Sequence, residues 1–338
     1  MDKKSTPDSR IFTEMERLFK SHALPEKYRK NIVGFYTQVK LALEVASRPT
    51  SNFDNIFLQF LELITEQIRN PFPFQPYHAK VRKPFDYFRF SLDFIRPLID
   101  LDRSKVHGLK IADEITALLK RGENAILLAN HQIKPDPQAI AILLEKSHPK
   151  LSEEIIYVAG ERVVTDPLAI PFSMGCDLLC IYSKRYIDHP PELKAKKQLH
   201  NKHTMEKLSR LLAEGGKAIY IAPSGGRDRK NAEGIVEVAP FDPQSIEMLL
   251  LMAKKSKTPT HFYPFTVSTY EMMPPPETIQ IELGEARTAK VTPIAISFSP
   301  EFDMDSFSDI SDKDLRRKKR ADAIWSIVDA EYRRLISI

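Results

Sequence analysis

Three short polar stretches hold the residue types that perform acid–base and anion chemistry, and each follows an apolar run. The first reads Asn130-His131-Gln132-Ile133-Lys134-Pro135-Asp136-Pro137. Imidazole takes and returns a proton near neutral pH without help from its surroundings. Asp136 follows His131 by five positions, and a tight loop brings its carboxylate back to one ring nitrogen. The other nitrogen is then free to act as a general base, worth about 10²–10⁴ in rate. Asp136 before Pro137 also reads as a helix N-cap followed by proline at the first helical position. The two roles are compatible, since a cap would hold the carboxylate where the ring needs it.

The second stretch is Pro223-Ser224-Gly225-Gly226-Arg227-Asp228-Arg229-Lys230. Its glycines let backbone approach a ligand and expose amide donors. Arg227 and Arg229 add planar forks that match phosphate. The spacing is not that of a nucleotide P-loop, and the plain alternative is a glycine turn with solvated arginines. The third stretch, Ser183-Lys184-Arg185-Tyr186, supplies two more cations or is merely a charged loop.

The elements that must position these loops alternate strand, loop and helix. Strands are expected at 125–129, 155–159, 178–182, 217–222 and 261–270, with helices at 137–146, 167–172, 191–214 and 243–255. This is an α/β pattern with a mixed, largely parallel sheet flanked by helices, in which ligands gather at the carboxyl ends of strands. Before it, Ile11, Met15, Leu18 and Phe19, and later Phe57, Phe60, Leu61 and Ile64, recur at helical spacing. They predict a small N-terminal helical bundle. Pro71-Phe72-Pro73-Phe74-Gln75-Pro76 is an extended linker, so the expected division is 1–75 helical and 76–338 α/β.

Composition narrows the function. With 42% hydrophobic and 28% charged residues and a net charge of +5 among 338 residues, the chain is an ordinary globular protein, and nucleic acid is not an expected partner. Its basic excess suits an acidic partner. The run Arg316-Arg317-Lys318-Lys319-Arg320 opens a C-terminal helix as a solvated face or a docking patch for an acidic protein. Cys176 and Cys180 lack zinc-ribbon spacing and read as reduced core thiols. His189, His200 and His203 bring no ligand cluster, so neither metal nor cofactor is expected. The strongest apolar run, 246–253, is eight residues long and contains Glu247, far short of the roughly 20 residues of a membrane span, leaving at most transient membrane association. No signal or transit segment is legible after Met1, which points to a bacterial cytoplasm, with the plastid stroma as the alternative for a mature protein.

These residues resemble the glycerol-phosphate acyltransferase superfamily, whose members carry an N-H-x4-D block, and within it the soluble plant-chloroplast and chlamydial branch. The resemblance rests on Lys83-Pro84-Phe85-Asp86-Tyr87 through Arg96-Pro97-Leu98-Ile99-Asp100, the 130–137 block, Val158-Ala159-Gly160-Glu161-Arg162 through Pro171-Phe172-Ser173-Met174-Gly175, residues 221–229, and His261-Phe262-Tyr263-Pro264 with Met272-Met273-Pro274-Pro275-Pro276. It implies acylation of the sn-1 hydroxyl of glycerol 3-phosphate from acyl-acyl carrier protein or acyl-CoA, as a step of phospholipid synthesis. His131 is then the base and Asp136 its orienting partner. Arg227 and Arg229, with Lys184, Arg185 and the Ser224-Gly225-Gly226 turn, hold the phosphate. Two departures stand out. Plant members have Lys-His where this chain has Arg185-Tyr186, and a tyrosine brings no positive charge. The Pro-Glu-Gly-Thr-Arg block of the membrane-bound branch reads here Pro223-Ser224-Gly225-Gly226-Arg227. The rival readings are a non-catalytic phosphoryl-ligand or acidic-protein binding module, and an enzyme that acylates lysophosphatidate.

Overall fold

Apolar residues one helical turn apart at the start of the chain produce α1 (Pro7–Lys20), α2 (Arg29–Val45) and α3 (Ser51–Arg69) in the computed structural model, which describes residues 7–184, 187–276 and 288–337. Ile11, Met15, Leu18 and Phe19 line the buried stripe of α1, and Phe53, Phe57, Phe60, Leu61 and Ile64 that of α3. Phe35, Phe53, Phe57 and Phe60 pack ring to ring with Phe94 of α4 (Tyr87–Ile95). The same apolar cluster takes in Ala139 and Ile142 of α6 (Asp136–Leu144) and Phe172 of α8 (Ile170–Ser173). The first three helices thus share one core with the helices that flank the site. Inside that core, Asp54 accepts from Tyr36 Oη at 2.8 Å and Lys40 Nζ at 3.1 Å.

The main sheet has eight strands among the described residues: β1 (Tyr77–His78), β2 (Lys105–His107), β3 (Asn124–Ala129), β4 (Ile156–Gly160), β5 (Asp177–Ile181), β6 (Ala218–Ile221), β9 (Thr260–Ser268) and β10 (Ala295–Phe298). A separate hairpin joins β7 (Arg229–Lys230) to β8 (Val236–Glu237). The strand order is β1-β5-β4-β6-β3-β9-β10-β2, parallel from β5 through β9 and antiparallel at β1/β5 and β9/β10. This is the mixed, mostly parallel sheet that the pattern predicted.

β3 is buried at all six positions because both faces of the sheet are covered. Ala125, Leu127 and Ala129 meet Ala112 and Ile115 of α5 (Leu109–Lys120) and Ile140 and Leu144 of α6. Ile126 and Leu128 meet the opposite layer: α9 (Lys194–Glu214), α10 (Pro243–Ser256) and α11 (Lys313–Ile336). A short α7 (Pro149–Glu154) leads into β4. No helix among the described residues is long and apolar enough to cross a membrane.

Two expectations are corrected. Pro135, not Asp136, occupies the N-cap of α6, and Asp136 is its first helical residue with no capping bond to the helix. Its carboxylate turns back toward the loop instead. The basic run is also not uniformly solvated. Arg320 is buried, donating to Met304 O and to Glu247 at 2.6 Å, because α11 turns that position toward α10.

The Asp54 cluster gives a stability test. Removing one member of a buried ion pair leaves the other charge buried and costs about 3–5 kcal/mol. Asp54→Ala is expected to lower the unfolding free energy by that amount, measured by urea denaturation followed by far-UV circular dichroism.

Candidate active site

Three adjacent parallel strands, β6, β3 and β9, end at the same edge of the sheet, and the polar loops lie there. His131 sits two residues beyond β3 with its side chain 30% exposed. Its Nδ1 lies 2.7 Å from Asp136 Oδ2. That carboxylate is fully buried and also accepts the backbone N–H of Gln132 at 2.8 Å and of Ile133 at 3.2 Å, while Thr269 Oγ1 donates to its other oxygen at 2.6 Å. Every partner of Asp136 is a donor, so in the neutral imidazole the proton is assigned to Nδ1 and the lone pair to Nε2. This is the geometry of an oriented general base.

A second buried carboxylate lies behind the first. Asp228 is 0% exposed, although Arg227 and Arg229 on either side are half-exposed. It accepts Asn130 Nδ2 at 2.8 Å, Gln132 Nε2 at 3.1 Å and the Ala239 N–H at 3.0 Å, and its own N–H donates to His131 O at 2.7 Å. Burial pushes its carboxyl up to about 6, against the opposing pull of the Ala239 N–H, Asn130, Gln132 and His131. Gln132 Oε1 in turn accepts the N–H groups of Thr269 and Tyr270 at 2.7 and 2.9 Å. Asn130 closes on both backbone groups of Val267, and its carbonyl accepts Tyr220 Oη at 2.5 Å. Burial raises the Tyr220 phenol well above its usual range, which keeps it a donor.

The arginine loop follows β6 as predicted. Gly225 adopts φ +64°, a left-handed conformation that suits glycine, and its N–H closes a turn on Ala222 O at 3.0 Å. Ser224 Oγ donates to Gly226 O at 3.0 Å, and both glycines are exposed. Arg229 Nη1 donates to Pro276 O at 2.6 Å. Tyr270 stands close enough to both arginines that they hold down a phenol pKa which burial raises.

Lys184 stands apart. Its Nζ is 2.6 Å from Asp242 Oδ2, and Asp242, the N-cap of α10, donates its N–H to Pro223 O at 3.3 Å. Lys184 thus borders the arginine turn through Asp242. Arg185 and Tyr186 lie outside the described residues. Sequence reading therefore found His131, Asp136, Arg227 and Arg229 but passed over Asp228, Gln132 and Thr269. Asp228 was visible between two arginines. Thr269, 133 residues from Asp136, carries no local signal.

An apolar cavity of ≈ 40 Å³ runs beside the base loop. Lys134, Pro135, Pro137, Ile95, Phe172 and Met273 are among its lining residues.

Comparison with known proteins places this arrangement. A family model described as Acyltransferase matches residues 103–268. The chain is 38% identical over 306 residues to "Glycerol-3-phosphate acyltransferase, chloroplastic" of Spinacia oleracea, covering 89% of this chain and 64% of that one. It is 39% identical over 267 residues to the protein of the same name from Arabidopsis thaliana, covering 78% and 58%. With "Glycerol-3-phosphate acyltransferase ATS11, chloroplastic" of Cucurbita moschata it shares 34% identity over 331 residues, covering 96% and 74%. The chain thus spans less than two thirds of the spinach and Arabidopsis proteins. On this likeness, with its acyltransferase match across the strands that carry His131 and the arginine loop, the chain belongs to the glycerol-3-phosphate acyltransferase family.

Proposed function

We propose that this protein transfers a long-chain acyl group from a thioester, acyl-acyl carrier protein or acyl-CoA, to the sn-1 hydroxyl of glycerol 3-phosphate. The observation that carries the reading is the His131–Asp136 pair, with Nδ1 committed to the buried carboxylate, held next to a loop bearing two arginines. His131 Nε2 removes the hydroxyl proton as that oxygen attacks the thioester carbonyl. Asp136 stabilises the imidazolium. Collapse of the tetrahedral intermediate breaks the carbon–sulfur bond, and the imidazolium returns its proton to the departing sulfur. No acyl-enzyme forms.

Arg227 and Arg229 hold the phosphate as charge-assisted donors, with the exposed turn at Ser224, Gly225 and Gly226 offering backbone amides. Lys184 contributes from its position against Asp242. The small apolar cavity lined by Pro135 and Pro137 is the place this reading gives to the first carbons of the acyl chain. The product, 1-acyl-glycerol 3-phosphate, is a phospholipid precursor. The chloroplastic relatives support the plastid stroma as the place of work, beside the bacterial cytoplasm.

Turnover by purified protein with glycerol 3-phosphate and palmitoyl thioesters tests the reading. His131→Ala is expected to lower kcat at least about 10²-fold with an unchanged circular dichroism spectrum, and Asp136→Asn to lower it through a misoriented ring. A folded His131→Ala protein with wild-type turnover removes the base assignment.

The phosphate assignment has a separate readout. Arg227→Ala is expected to raise KM for glycerol 3-phosphate about 10- to 150-fold, the loss of one charge-assisted hydrogen bond, with KM for the thioester little changed. Equal KM values in variant and parent would detach this loop from the phosphate.

A further inference from the structure

We propose that Asp228 is a positioning residue that ties the arginine loop to the base loop, so that an anion held by Arg227 and Arg229 sets the alignment of His131. Three consecutive residues of the base loop are bonded to it: Asn130 and Gln132 through their side chains and His131 through its carbonyl. The path continues from Gln132 to the backbone of Thr269, and from Thr269 Oγ1 to Asp136 and so to the ring of His131. The imidazole is therefore reached from Asp228 on both sides, through its own backbone and through its carboxylate partner.

Burial alternates along Arg227, Asp228 and Arg229, with the two cations on the ligand side and the carboxylate inside. A bound phosphate that pulls on either arginine acts on the backbone that carries Asp228. A buried carboxylate is an expensive way to pin a loop, since its ionised form must be met by donors. An apolar residue would pack the same space. What an apolar residue lacks is the directional grip on Asn130 and Gln132.

The kinetic arm of the test rests on the acyl-transfer reading; the binding arm does not. Asp228→Asn keeps the size and the backbone N–H to His131 O. It replaces one acceptor oxygen by an NH2 group: set toward Asn130 and Gln132 it confronts their NH2 groups, and turned over it confronts the N–H of Ala239. The expected result is a kcat lower by about 10- to 100-fold, the scale of a small misplacement of a catalytic group, with both KM values within about threefold. Adding Gln132→Glu, which restores an acceptor facing the new NH2, is expected to recover most of the lost kcat. A purely structural lesion, seen as a lowered melting temperature with no recovery in the double variant, overturns the proposal, as does wild-type kcat in Asp228→Asn.

The binding arm uses inorganic phosphate and the ring resonances of His131 in ¹⁵N NMR, assigned with His131→Gln. Phosphate is expected to shift them in the parent protein. In Asp228→Asn it should still bind, by calorimetry, but leave them unmoved. An equal response in both proteins, or none in the parent, overturns the coupling. A parent protein that shows the coupled response yet turns over no thioester sinks the acyl-transfer reading alone.

Discussion

A carboxylate out of reach of water must be met by donors, and that requirement organises the edge of the sheet where β6, β3 and β9 end. Asp136 is met by one ring nitrogen, two backbone N–H groups and a threonine hydroxyl. Asp228 is met by two side-chain amides and one backbone N–H. An unmet buried partner costs about 1–3 kcal/mol, and more when charged, so none of these donors is free to drift. They come from the β3 loop, the end of β9 and the segment after β8. Fixing two carboxylates therefore fixes three distant pieces of chain against one another. Asn130 shows how closely this follows the sheet: β3 has ended, but its side-chain amide still meets both the N–H and the C=O of Val267 on the neighbouring β9.

The direction of the strands decides which loops join this arrangement. Neighbouring strands lie about 4.8 Å apart, so loops after β6 and β9 flank the β3 loop at one strand's distance on either side. β5 is three strands from β3 in the order of the sheet, or about 14 Å. Lys184, which follows it, meets Asp242 at the start of α10 rather than the base loop. Lys184 is thus tied to the Pro223 turn, to which Asp242 is bonded. The loop of the two arginines is held on His131 itself, through the N–H of Asp228.

What was legible in the sequence was whatever has a local cause. The run Ala125 to Ala129 reads as a strand because both sheet faces are covered, and the glycine pair reads as a turn because Gly225 requires a left-handed backbone. The stripe on α1 and α3 was equally plain. β1 and β2 are two and three residues long and only partly buried, too short for any period to show. The Asp136 cap was misread because Asp-Pro at a helix start favours capping on local grounds. The tertiary pull of His131 and Thr269 overrides it. Arg320 was misread for the parallel reason: five cations in a row look solvated, yet helical spacing turns Arg320, with Arg317 one turn before it, onto Glu247. Thr269 had no signal to find, because its meeting with Asp136 exists only after β9 has crossed to the far side of β3.

The same excess of buried polar structure bears on the rival reading of a module that merely binds a phosphoryl ligand. Such a module needs the arginines and the exposed turn after β6. It has no use for an imidazole locked into one tautomer by a fully buried carboxylate, nor for Gln132 and Thr269 arranged to hold that carboxylate. Buried polar networks of this kind are stabilising only when every member is satisfied, and apolar packing reaches the same stability with less risk. The network instead holds His131 in one orientation beside the arginine loop, on a side chain that stays part-exposed, as the proposed proton transfer requires. A small apolar cavity lined by Pro135 and Pro137 lies beside the same loop, where the proposed reaction needs room for the first carbons of an acyl chain.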